Sequence, residues 1–232
     1  MKMRAIGAAA FAAIAIIGAI DPVQAEDKPA VGGAELFAPL YRKLKDDRAL
    51  QALWRRCPAD IYRRSATTGT ASSDVERAQC QADPASCHAA CFQEHNENAC
   101  FSLALAIEAR HDKEASLNYQ EPLFARACAG GSAGGCTNRA AGIRNGQYEN
   151  DPFTTKPERA RNACLFRSFQ VACLAGDAWG CTMYGQSYEN GEGVAADSAK
   201  AAEAYRKSCK ISADFAACDY AKSRLESMGR SP

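Results

Sequence analysis

The stretch that decides the fold is residues 180–209, GCTMYGQSYENGEGVAADSAKAAEAYRKSC. Its first half predicts a short helix with Tyr184 and Tyr188 on one face. The Asn-Gly-Glu-Gly turn that follows ends this helix, because glycine accepts a positive φ. Asp197 is a good N-cap for a second helix. The stretch therefore predicts two helices that cross at small residues and pack closely.

Cysteine spacing indicates that this unit is repeated. Short steps of 8 or 9 residues separate or flank three intervals of 28 residues, which run from Cys100 to Cys128, from Cys136 to Cys164 and from Cys181 to Cys209. A period of about 36 to 45 residues is typical of stacked helix pairs rather than of one globular core. We therefore expect an all-α fold built from helix hairpins.

Other parts of the chain match this unit more loosely. First helices are expected at residues 99–111 and 135–145, and second helices at 120–128 and 157–173. A single helix is expected at residues 215–228, and such an atypical end is common at the edge of a repeat array.

The first 25 residues have the composition of a secretory signal peptide. Lys2 and Arg4 precede an apolar run, and residues 23–25 resemble a signal-peptidase site. An uncleaved membrane anchor is the alternative, but the run is shorter than the roughly 20 residues of a spanning helix. We expect a periplasmic or secreted protein with no stable membrane span after cleavage.

The expected organisation has three parts, namely a signal peptide at 1–25, an N-terminal helical segment and linker at 26–79, and a repeat array at 80–228. Helical periodicity covers residues 35–56, and the small polar residues 65–73 are expected to form the linker. After removal of the signal peptide, 26 basic and 26 acidic residues remain. This balance argues against a nucleic-acid partner, which normally requires a basic face.

The motif in residues 180–209 resembles a Sel1-like repeat, and the Cys-x7-Cys pairs between units resemble those of the cysteine-rich Hcp-type branch of that family. The resemblance covers about residues 80–228. It implies an α-solenoid of TPR-like, antiparallel helix hairpins stapled by disulfides, with a concave face for a partner. It also implies β-lactam binding or hydrolysis as an alternative activity, because members of that branch are described as having it.

Cysteines at helix–loop–helix corners are expected to form disulfides, because an exported chain meets an oxidising compartment. A loop of seven or eight residues can bring the two Cα atoms within bonding distance. The expected pairs are Cys128–Cys136, Cys173–Cys181, Cys91–Cys100 and Cys209–Cys218.

Four cysteines have less obvious partners. Cys80 and Cys87 could staple an N-terminal corner, and Cys57 could take either of these two. Cys164 and one other cysteine have no obvious partner. Redox exchange is the functional alternative to stapling, but the chain lacks a Cys-x-x-Cys pair to supply a reactive thiolate.

An alternative interpretation places a metal at Cys87, His88, Cys91 and His95. These residues share part of one helical face, and cysteine and histidine at such spacing can hold zinc or haem iron. The structural interpretation is two oxidised cysteines beside two surface histidines. The Cys-x-x-Cys-His haem motif is absent, and we expect no cofactor.

Familiar catalytic motifs are missing, among them Ser-x-x-Lys, Lys-Thr-Gly, Gly-x-Ser-x-Gly and His-Glu-x-x-His. We therefore expect a non-catalytic scaffold that binds a protein or peptide, and the alternative is an enzyme that acts on β-lactams. The candidate partner-binding residues are Trp179, Tyr184 and Tyr188. Contact between helices is the favoured interpretation of the two tyrosines, and local packing is the alternative for Trp179.

Overall fold

The structure is a computed structural model that describes residues 33–63, 74–109, 113–146 and 151–231. The expected signal peptide and the expected linker at 65–73 lie outside the described residues. Within those residues the chain forms twelve α-helices and no strand, which confirms the all-α prediction.

The first six helices are α1 Gly33–Asp46, α2 Arg48–Trp54, α3 Pro58–Ile61, α4 Asp74–Ala82, α5 Pro84–Phe92 and α6 Glu97–Glu108. The other six are α7 Lys113–Gly130, α8 Ala133–Asn145, α9 Glu158–Leu174, α10 Ala178–Asn190, α11 Ser198–Ile211 and α12 Ala216–Ser227. Within the described ranges, no helix is both long and apolar enough to cross a membrane.

The pair α10–α11 corresponds to the hairpin that residues 180–209 predict. Gly191 has a φ of 69° and ends α10 in the left-handed region that glycine tolerates. The side chain of Asp197 caps α11, where it accepts hydrogen bonds from the backbone N–H groups of Ala199 and Lys200 at 3.0 Å each. The predicted turn and the predicted N-cap are both confirmed.

Close packing of α10 on α11 depends on a glycine. A Cβ atom placed on Gly185 would lie 2.9 Å from two ring carbons of Tyr205, which is too close for an unshifted neighbour. Ala201, Tyr205 and Ser208 are fully buried along the facing side of α11. The Ser208 hydroxyl donates to the Ala178 carbonyl at 2.8 Å, so the polar group in this core is hydrogen-bonded.

The helical periodicity of residues 35–56 corresponds to α1 and α2, which are separate because the Asp47 side chain accepts from the Leu50 N–H at 2.9 Å and starts α2. Other expected helices begin earlier than the sequence predicts. Helix α6 begins before the expected residue 99, since Asn96 caps it through two backbone N–H groups. Helix α7 extends seven residues before the expected start at residue 120.

Helices that follow one another in sequence pack against one another from α4 to α12. Helices two apart also touch in the pairs α4–α6, α8–α10 and α10–α12. The buried apolar residues of the described ranges form four clusters in succession instead of one centre. This is a helical repeat-like architecture, in which each unit shares its core with its neighbours.

All twelve cysteines are paired, and no free thiol remains. Four disulfides join the corner pairs expected from the spacing, Cys91–Cys100, Cys128–Cys136, Cys173–Cys181 and Cys209–Cys218. A fifth joins Cys80 to Cys87 at the corner between α4 and α5. Six disulfides indicate an oxidising, extracytoplasmic environment.

The sixth disulfide joins Cys57 to Cys164 across 107 residues of sequence. The alternative that Cys57 pairs with Cys80 or Cys87 is therefore wrong, and Cys164 does have a partner. Cys57 precedes α3 and Cys164 lies within α9, so this bond fastens the N-terminal helices to the middle of the array. Helices α1, α2 and α3 also pack against α7.

Candidate functional site

Helices α9, α10 and α11 frame a cleft of about 300 Å³. We call it the tyrosine cleft, and the lining residues that matter for its chemistry are Leu174, Tyr184, Tyr188, Lys200, Glu203 and Lys207. Its volume is at the lower end of the range for ligand pockets, which suits one or two side chains of a partner better than a large cofactor.

The rings of Tyr184 and Tyr188 form one wall of the tyrosine cleft, and Phe166 packs against both of them. The ring of Phe166 lies 5.2 Å from that of Tyr184 and 5.4 Å from that of Tyr188, measured between centroids. The two tyrosine rings meet edge to face at 5.0 Å, and their hydroxyl oxygens are 3.1 Å apart. Such tilted arrangements are the favourable ones for aromatic pairs, so the wall is pre-organised.

The Tyr184 hydroxyl remains neutral. Burial, reinforced by the hydrogen bond with Tyr188, raises the pKa of Tyr184 to about 12. Gln170 donates from its side-chain amide to the Tyr184 hydroxyl at 3.2 Å. The wall therefore presents the Tyr184 side chain to a partner as a phenol rather than a phenolate.

Lysines on α11 give the tyrosine cleft a positive rim. Lys200 and Lys207 are two helical turns apart, so they lie on the same side of α11. The Lys200 ammonium stands 5.5 Å from the centroid of the Tyr188 ring, a cation–π distance. Glu203 lies between them, so the lining residues carry one net positive charge, and Lys200 also pairs at 3.5 Å with Asp197, which is not part of the lining.

Leu174 is the most exposed large apolar residue among the described ones, with 70% of its surface open to solvent. It ends α9 and lines both the tyrosine cleft and a smaller cleft of about 150 Å³ beside Tyr62, Val171 and Ala175. The two clefts thus share one leucine and form adjoining apolar hollows on α9. An exposed apolar patch of this kind is typical of an interaction site.

The structure brings only two of the three candidate partner-binding residues together. Tyr184 and Tyr188 line the tyrosine cleft. Trp179 instead packs toward α12, with its ring 6.3 Å from that of Phe215 and 6.2 Å from that of Tyr220. Trp179 is therefore engaged in local packing on another side of α10.

The structure does not bring Cys87, His88, Cys91 and His95 together as metal ligands. Cys87 is bonded to Cys80 and Cys91 to Cys100, so neither sulfur is a thiolate ligand. His88 stacks on Phe92 with a centroid distance of 4.4 Å, and burial lowers its pKa. Across the described parts of the chain, no group of cysteine, histidine and carboxylate side chains has metal-binding geometry.

Two arginines make buried or half-buried ion clusters that the sequence did not predict. Arg139 on α8 donates to both carboxylate oxygens of Asp151, at 2.5 and 3.0 Å, and to Glu121 on α7 at 2.8 Å. Arg144, one turn further along, donates to Gln186 at 2.8 Å and pairs with Glu192.

These clusters are structural rather than catalytic. The side chains of Arg139, Glu121 and Asp151 are at most 2% exposed, so no substrate can reach them. Burial raises the pKa of Glu121 to about 7, although Arg139 opposes this effect. Arg144 joins α8 to α10, with its guanidinium 4.2 Å from the centroid of the Phe169 ring.

Sequence reasoning missed Leu174, Lys200 and Lys207. Leu174 was hidden because it begins the corner segment LAGDAWG, where the pattern indicates only a loop. The seven-residue spacing of the two lysines on a predicted helix could have placed them on one face.

Comparison with protein-family models, with curated proteins and with solved structures finds no match for this chain.

Proposed function

We propose that the protein is an exported, periplasmic or secreted scaffold of Sel1-like helix hairpins that binds a protein or peptide partner through the tyrosine cleft. The observation that carries the proposal is Leu174, which is 70% exposed beside a pre-organised aromatic wall. A leucine left exposed in the folded protein forgoes the stabilisation that burial gives, and contact with a partner would supply it.

The lining of the tyrosine cleft indicates the chemistry of the partner. Leu174, Tyr184 and Tyr188 favour an apolar or aromatic side chain in the cleft. Lys200 and Lys207 at the rim favour a carboxylate next to it. We therefore propose a segment in which an aromatic or large aliphatic residue is flanked by aspartate or glutamate.

The proposal is tested by selecting peptides from a random display library on the oxidised protein. We expect the selected peptides to be rich in aromatic residues next to acidic ones. Leu174→Ser should weaken their binding by about tenfold or more, since it removes most of one buried leucine from the complex. Charge reversal at Lys200 and Lys207 should remove the preference for acidic residues.

Val75→Ser is the matched control. Val75 is another exposed apolar residue, 66% open to solvent, and it lies on α4 outside the tyrosine cleft. If Val75→Ser weakened binding of the selected peptides as much as Leu174→Ser does, the tyrosine cleft would not be the binding site. The same conclusion would follow if the selected peptides shared no common chemistry. Turnover of a chromogenic β-lactam above background would instead favour the enzyme that the family resemblance implies.

A further inference from the structure

A second cleft lies between the N-terminal helices and α7, away from the tyrosine cleft. It has a volume of about 420 Å³ and is lined by Lys45, Gln51, Trp54, Arg55 and Tyr119. We call it the basic cleft. It combines two cations, one amide and two aromatic side chains, which differs from the largely apolar lining of the tyrosine cleft.

The aromatic walls of the basic cleft are held rigidly from behind. Tyr119 stacks on Tyr41, with ring centroids 4.3 Å apart and planes 7° from parallel. The guanidinium of Arg139 lies 6.0 Å from the centroid of the Trp54 ring and donates to the Trp54 carbonyl at 3.2 Å. Because Arg139 is itself fixed by Asp151, the position of Trp54 is set by the buried ion cluster.

The cations of the basic cleft are available for a ligand. Lys45 lies in the last turn of α1 and Arg55 follows α2, and both side chains are exposed. Neither forms an ion pair with another described residue. Residues 33–63 contain seven basic and four acidic residues, so the surroundings of the cleft attract anions although the whole chain is nearly neutral.

We infer that the basic cleft binds a carboxylate attached to an aromatic group. The planar guanidinium of Arg55 matches a planar carboxylate, and Lys45 adds a second positive charge. Trp54 and Tyr119 line the cleft, so the aromatic part of the ligand can pack against their side chains. Gln51 can hydrogen-bond to the amide or hydroxyl that links the two parts. This site is independent of the tyrosine cleft and of the partner proposed for it.

The probe is N-acetylphenylalanine, compared with its amide, which has the same ring but no charge. Binding to the full oxidised protein is measured by calorimetry, and by tryptophan fluorescence in a Trp179→Phe variant whose remaining tryptophan is Trp54. We expect the acid to bind and the amide to bind about tenfold or more weakly, because a charged hydrogen-bonded pair is lost. Arg55→Gln and Lys45→Gln should each weaken binding of the acid by a similar factor.

Arg48→Gln is the matched control, because Arg48 is an exposed arginine on the same helix α2 that does not line the cleft. It should leave the affinity unchanged. A peptide that ends in phenylalanine separates two sources of the same chemistry. If it binds with a free C-terminus and not as the amide, the ligand class includes chain ends; if only the small acid binds, the ligand is a free aromatic acid.

Three results would overturn the inference. The first is equal binding, or none, of the acid and the amide. The second is an Arg48→Gln variant that binds N-acetylphenylalanine as weakly as Arg55→Gln does, since that would indicate unspecific attraction of anions. The third is tighter binding of phenyl phosphate than of N-acetylphenylalanine, because the site would then be built for a tetrahedral dianion.

Discussion

The corners within the repeat-like array and the junction between α3 and α9 are held together in different ways. Each corner is closed by a disulfide between cysteines 7 to 9 residues apart. The junction depends on a disulfide across 107 residues. Arg139 on α8 makes a second long-range connection, to α2, α7 and Asp151. The regular spacing of cysteines in the sequence therefore predicts the corner disulfides. The junction disulfide joins residues that come together only in the folded chain, so spacing does not predict it.

Loop length also separates the two kinds of disulfide in energy. By chain entropy, closing a loop of 8 residues stabilises the fold by about 2.5 kcal/mol, and closing one of 107 residues by about 5 kcal/mol. The junction disulfide is therefore the stronger constraint on the unfolded chain.

Removal of the junction disulfide is expected to have the largest effect. A double variant with Cys57→Ser and Cys164→Ser should lower the free energy of unfolding by about 5 kcal/mol, measured by urea denaturation. The matched double variant with Cys128→Ser and Cys136→Ser should lower it by about 2.5 kcal/mol. Equal losses in the two variants would show that loop length does not distinguish the junction from the corners.

Replacement of Arg139 by methionine comes next. It leaves the carboxylates of Asp151 and Glu121 buried without their cation, which should cost about 3 to 5 kcal/mol of unfolding free energy. Arg167→Met is the control, because the Arg167–Asp60 pair likewise joins residues far apart in the sequence but is about half exposed. That variant should lose less than about 1 kcal/mol. Similar losses would contradict a special role for the buried cluster.

The pH dependence of stability tests the same cluster without removing the arginine. Burial raises the pKa of Glu121 from 4.5 to about 7, so the folded protein keeps a proton that the unfolded chain releases between these values. The resulting stabilisation is present in acid and is lost as the pH rises through about 7. Glu121→Gln cannot titrate and should lack this loss.

The quantity to measure is the unfolding free energy of Glu121→Gln minus that of the unmodified protein. We expect this difference to increase by about 2 kcal/mol between pH 5 and pH 8. His88 titrates in both proteins, so its contribution cancels in the difference. A difference that does not change with pH would show that Glu121 is ionised at an ordinary pKa in the folded protein.

The smallest effect is expected within a hairpin. Asp197→Ala removes the cap of α11 and should lower the free energy of unfolding by about 1 kcal/mol. Asp214→Ala changes an exposed aspartate in the turn before α12 and should have little effect. If both variants lost the same stability, the loss would reflect charge rather than the cap.

Prediction from the sequence succeeded where the cause lies within a few residues. The Asn-Gly-Glu-Gly turn, the N-cap Asp197 and the four corner pairs depend on neighbours in the chain, and all are seen. The partner of Cys57 could not be predicted, because no local pattern distinguishes Cys164 from other cysteines far along the chain.

The candidate sites were less predictable than the helices. Tyr184 and Tyr188 were named from their spacing, but their cleft also needs Leu174 from α9 and the lysines of α11. The basic cleft joins residues 45–55 to Tyr119, which no motif connects. Exposure and proximity between separate helices are properties of the packed molecule, so they follow from the fold and not from periodicity.

The most direct test of the account is the disulfide map of the oxidised protein after tryptic digestion without reduction. The account predicts that peptide CPADIYR, residues 57–63, is found linked to peptide NACLFR, residues 162–167, and that Cys173 and Cys181 are bonded within one peptide. A free thiol at Cys57 or Cys164, or a bond from Cys57 to Cys80 or Cys87, would contradict it.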